Sequence, residues 1–127
     1  MARVSAIKFH FYTTNQELDH DSDAVAEVLR GGTVIGSAST GRNHCKSWQD
    51  GTHNDLIVHP TTTVTTNQLA GLEYRVRMGA EGNNKWRFKL TLSAIVNSQN
   101  PISTSEKGET ELNSRGSKWD QQSYSWN

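Results

Sequence analysis

Asp19, Asp21 and Asp23 form a D-x-D-x-D array. In extended chain, side chains two apart project to the same side, so this spacing can bring three carboxylates to one hard cation. Calcium takes six to eight oxygen ligands, and Asp55 is the first choice for a further one, with Asn54 or Glu17 behind it. The competing reading is a solvated acidic loop in which Ser22 and Asp23 make local turn hydrogen bonds. An EF-hand is excluded, because its glycine and distal glutamate are missing at the required spacing. The expected metal set is therefore Asp19, Asp21, Asp23 and Asp55, and calcium is the one cofactor in view.

A second group lies in the most polar part of the chain. Trp119, Asp120, Tyr124 and Trp126 stand among Ser, Lys, Gln and Asn. Aromatic faces flanked by amide and acid side chains suit sugars, whose C–H faces stack while their hydroxyls hydrogen-bond. These four residues are the candidate ligand-binding set. The alternative is structural: Tyr124 and Trp126 alternate, so a last strand could bury both.

Other chemistry is poorly framed. The five histidines are scattered at His10, His20, His44, His53 and His59, and Cys45 is the only cysteine. Zinc would need a closer set of Cys and His ligands. No G-x-S-x-G elbow, Cys–His signature or phosphate-cradling glycine loop is present. Carboxylate pairs can be drawn from Asp55, Glu73 and Glu109, but any acidic chain offers such pairs. The expectation is a protein that binds rather than catalyses.

The elements that must position these residues are strands. Alternation with period two runs through Ile7–Tyr12, Leu72–Met78 and Trp86–Ala94, each with one apolar and one polar face. Such half-wet strands belong to antiparallel sheets. Shorter strands are expected at Ala24–Arg30, Thr33–Ser39 and Leu56–His59, with Gly31-Gly32 as a tight hairpin turn. The Thr61–Thr66 run suits strand or loop and not helix. Trp86, Phe88, Leu90, Leu92, Phe9, Phe11, Tyr74 and Val76 should form the centre of the core, with His10 on a wet sheet face and Trp48 packing at one end. Residues 97–127 are expected to add a hairpin or extension.

Bulk composition agrees. The chain has 127 residues, the size of one domain. Counting Gly and leaving out Tyr, its apolar content is roughly 39%, below the usual ~45–50% and enough for the thin core of a two-sheet sandwich. Thirteen basic and 13 acidic side chains cancel, which argues against nucleic acid as a partner. One cysteine excludes an internal disulfide, and nothing approaches the ~20 apolar residues of a membrane span. The expected setting is soluble, cytoplasmic or non-classically secreted.

The order of these features resembles the PLAT/LH2 family of β-sandwich domains over about residues 5–96. Phe11-Tyr12-Thr13-Thr14 precedes an acidic loop and the Ala24-Val25-Ala26 strand, and Trp48–Val58 places an aromatic before a Gly/Asp loop and an apolar strand. A Leu-x-Tyr-x-Val strand at Leu72–Val76 and a Trp-led strand from Lys85 complete the pattern. Asp-Ser-Asp stands where that family usually has Gly-Thr-Asp. The resemblance implies a jelly-roll-like sandwich binding lipid surfaces or proteins, in some members with calcium.

Taken together, the sequence predicts an all-β, antiparallel two-sheet sandwich acting as a lectin-like module for carbohydrate or glycoconjugate, with or without calcium. A PLAT-like adaptor for a lipid or protein surface is the alternative. An enzyme or toxin component ranks last.

Overall fold

The computed structural model describes residues 2–18, 22–41, 47–79, 84–97, 100–115 and 118–126. The strands that the alternation predicts are present and run longer than their apolar cores. They are β1 (Val4–Gln16), β2 (Asp23–Arg30), β3 (Thr33–Ser39), β4 (His53–Val58), β5 (Glu73–Gly79) and β6 (Asn84–Val96). Three more follow: β7 (Ile102–Ser103), β8 (Thr110–Ser114) and β9 (Asp120–Tyr124). One sheet has the order β4-β1-β6, with β7 and β8 both pairing along the free side of β6; the other has the order β3-β2-β5-β9. All these pairings are antiparallel. The two sheets face each other as a sandwich.

The apolar phase of each strand points between the sheets. All eight residues expected at the centre, from Phe9 and Phe11 to Trp86 and Leu92, are fully buried. Their rings interlock: Phe11 lies 5.2 Å from Trp86, and Trp86 lies 4.2 Å from Phe88, centroid to centroid. The polar atoms of the buried rings are matched, as such atoms must be in a low-dielectric core, whereas Arg77 Nε is buried without a hydrogen bond among the described residues. Trp86 Nε1 donates to Thr13 Oγ1 at 3.1 Å, and the Tyr74 hydroxyl donates to the Leu69 carbonyl at 2.8 Å. Burial raises the Tyr74 phenol well above its ordinary pKa. Trp48 packs at one end of the core, 5.6 Å from both Phe11 and Trp86.

Gly31 and Gly32 form the tight turn between β2 and β3, with φ of 58° and 83°. Side chains at either place would be strained, so the glycines specify the hairpin.

Two alternatives left open by the sequence are decided. The Thr-rich segment is a loop rather than a strand: it bends, seats Val64 in the core, and only its last residue enters a 3-10 helix, Thr66–Gly71, that buries Leu69. Thr65 N–H donates to Gln68 Oε1 at 3.0 Å, which stabilises that start despite the poor helix propensity of threonine. The tail is an extension rather than a hairpin. β8 pairs with β6 in one sheet (Trp86 opposite Leu112), while β9 pairs with β5 in the other (Val76 opposite Gln122). The chain crosses from sheet to sheet between them, so both sheets gain an edge strand. The physical reason is that β6 and β5 each had an unpaired side, and one strand on each pairs both, where a hairpin on one would leave the other open.

Among the described residues no helix is long and apolar enough to cross a membrane.

Candidate ligand-binding pole

Antiparallel pairing decides which strand ends meet. Asp23 lies opposite Gly79, Val25 opposite Ser39, Asn84 opposite Ser114, Met78 opposite Asp120, and Tyr12 opposite His53. Consequently β1, β3, β5 and β8 end, and β2, β4, β6 and β9 begin, at one pole of the sandwich. Binding residues commonly sit on loops held by such a rigid frame.

Described residues at this pole line an open groove of about 520 Å3: Gln16, Asn84, Lys85, Asn113 and Arg115. Lys85 comes from the polar phase of β6, opposite Asn113 of β8. The Asn113 amide is oriented by its neighbours, its oxygen accepting from Arg115 Nε and Nη2, both at 3.2 Å. Asn84 donates its amide to Ser22 Oγ, which joins β6 to the residue before β2. Trp119 is not one of the lining residues, but the chain on both sides of it is tied to them. The preceding Lys118 donates its backbone N–H to the Arg115 carbonyl at 3.0 Å. The following Asp120 accepts from the Asn113 N–H at 2.8 Å.

The Trp119 ring is held from below and open above. The Arg77 guanidinium lies 5.0 Å from its centroid, a cation–π arrangement. The ring also lies over Gly79 so closely that a Cβ there would overlap it. Yet Trp119 remains 38% exposed, the most exposed aromatic of the described residues.

Of the four expected ligand-binding residues, Trp119 alone offers an open ring. Trp126 packs against the core, 5.4 Å from Tyr74. Tyr124 also packs against it, pairing with Tyr74 and sharing a 2.6 Å hydroxyl hydrogen bond with Thr110. Burial pushes the Tyr124 phenol up to about 12. Asp120 accepts backbone N–H groups from Asn113 and Gln121, at 2.8 and 2.9 Å. Asp120 and Tyr124 sit on β9 opposite Met78 and Tyr74, while Trp126, just past β9, packs against the core.

The expected metal set divides. Asp19 and Asp21 lie outside the described residues. Asp23 Oδ1 accepts from Gly41 N–H at 3.0 Å and Thr40 Oγ1 at 3.2 Å, tying the start of β2 to the end of β3. Asp55 belongs to the other sheet, where its Oδ1 accepts from His10 Nδ1 at 2.6 Å. Asp55 thus stands on a different sheet from Asp23, on the outer face of β4. Among the described residues, no group of three or more His, Cys, Asp and Glu is arranged to hold a metal.

That outer face holds the cluster that the sequence did not announce. His10 Nε2 lies 2.9 Å from His53 Nδ1, and Tyr12 stacks on His53 with centroids 4.7 Å apart. Since a carboxylate only accepts, Nδ1 of His10 carries a proton, and one further proton fills the gap between the two imidazoles. His10 was legible as a wet-face residue. Its partners were not, because they depend on the register of β1 against β4.

The opposite pole has a smaller hollow of about 230 Å3 lined by Arg30, Asn67, Gln68, Gly71 and Leu72. Its guanidinium is already engaged by Thr62, the Thr63 carbonyl and Gln68, so this hollow is a packed corner.

Fold and site together define a two-sheet β-sandwich with a polar groove at one pole. No protein-family model matches the chain, and no curated protein is similar to it.

Proposed function

We propose that the protein is a non-catalytic, lectin-like module that recognises carbohydrate at the groove beside Trp119. The observation that carries this reading is the Trp119 ring, braced by Arg77 and Gly79 yet open on its outer side. A rigid apolar plate next to amide and cationic hydrogen-bonding groups matches the two faces of a sugar. Gln16, Asn84 and Asn113 supply both donors and acceptors, as alternating hydroxyls require.

The test is a glycan array probed with the protein and with Trp119→Ala, each in calcium and in EDTA. Binding that disappears with the ring supports the reading, and EDTA sensitivity would bring calcium into it through Asp23 and the acidic segment before it. An array blank for both proteins, with binding to anionic lipid vesicles instead, would favour the PLAT-like adaptor.

A further inference from the structure

We infer that the groove selects acidic saccharides, those carrying a carboxylate or sulfate, over neutral ones; this rests on the carbohydrate reading above. The chain as a whole is neutral, so an anionic preference has to come from how charges are distributed. Of the described carboxylates around the groove, Glu17, next to Gln16, is exposed and unpaired, and the other three are engaged. Asp120 receives the Asn113 and Gln121 N–H groups. Glu111 is paired with Arg87 Nε at 2.5 Å, and Asp23 receives Gly41 and Thr40.

The cations are left over. The side chains of Lys85 and Lys118 are exposed and have no ion pair or hydrogen bond among the described residues. Arg115 is exposed, and its Nε and Nη2 meet only the neutral Asn113 amide, which leaves the Nη1 edge open. An unpaired guanidinium fork and an ammonium at one open groove are the groups that recognise carboxylate or sulfate oxygens. The Asn113–Arg115 bonds add direction: they fix the guanidinium plane, so less side-chain freedom is lost on binding. Trp119 then holds the sugar ring while Lys85 and Arg115 hold its acid group.

Three probes separate the possibilities in calorimetry at low salt: a galacturonate oligosaccharide, its methyl ester, and a sulfated disaccharide. The acid should bind about tenfold tighter than the ester, and salt should erode that gap by screening. Lys85→Gln with Arg115→Gln should remove the gap by weakening acid binding far more than ester binding, and leave the thermal melt unchanged. Trp119→Ala should weaken acid and ester together. Tight sulfate binding with weak galacturonate binding would support the inference and assign the anion as sulfate. Equal binding of acid and ester overturns the inference and leaves the carbohydrate reading standing. No binding of any probe overturns both. A gap that survives in the double Gln variant also overturns it, because the selectivity would then lie elsewhere.

Discussion

The outer faces of the two sheets carry charge in contrasting ways. On β2 and β5, Glu27 is almost buried and takes Arg75 Nε at 2.7 Å, with Arg77 Nη1 at 3.8 Å. Trp119 then covers Arg77. On β1 and β4, Asp55, His10 and His53 form a chain of hydrogen bonds in the open, with Asp55 and His10 side chains 42% and 32% exposed. The first face desolvates its charges and must keep them paired, so it acts as structure. The second leaves its groups in water, where pairing stabilises little, so it is free to change partners.

The largest effect belongs to the core that both faces share. Phe88→Ala should lower stability by about 3–5 kcal/mol in denaturant titration, the usual range for a buried Phe. This sets the scale. A melt shifted by under a degree would mean that the strand phase is reversed.

The comparison itself breaks or holds on two carboxylates. Glu27→Ala should cost about 3 kcal/mol, because it leaves two cations desolvated against each other. Asp55→Ala should cost less than about 1 kcal/mol, as exposed pairs do. Similar losses in the two variants would erase the distinction between the faces.

The tail aromatics sharpen it. Trp126→Ala should cost about 2 kcal/mol, roughly half the value of a fully buried Trp. Trp119→Ala should cost about 1 kcal/mol, the scale of a partly exposed cation–π contact. The variant expected to damage stability less is thus the one expected to abolish binding.

The smallest effect appears only in alkali. The Tyr124 phenol is raised from 10.0 to about 12 by burial, so the folded chain holds a proton there that the unfolded chain has released. Its contribution is complete below pH 10 and falls away as pH rises towards about 12. Tyr124→Phe should flatten part of that fall in melts taken across this range. The rest should persist, because Tyr74 is raised in the same direction. An unchanged slope would show that Tyr124 is not held against the core.

How far the sequence reached depended on whether a feature was local. The strand phase of Ile7–Tyr12 and Trp86–Ala94, and the turn at Gly31-Gly32, were legible because period-two alternation and positive-φ demand are properties of neighbouring residues. That was enough to place the eight core residues, the wet face of His10 and the end position of Trp48. It also singled out Trp119, although not its separation from Tyr124 and Trp126. Residues two or more apart on β9 look alike in composition, and only the edge of β5 decides which of them turn to the core.

Pairing between distant strands belonged to the tertiary structure alone. Nothing local tells β8 to join β6 and β9 to join β5, since that choice depends on which strand edges remain unpaired once the rest has folded. The same register brings Lys85 beside Asn113 and Arg115, and lays Asp55 and His53 against His10. It also moves Asp55 away from Asp23 into the other sheet. Composition and spacing fixed what each strand buries. Which surface groups meet was left to long-range backbone hydrogen bonding, which pairs strands without regard to their separation along the chain.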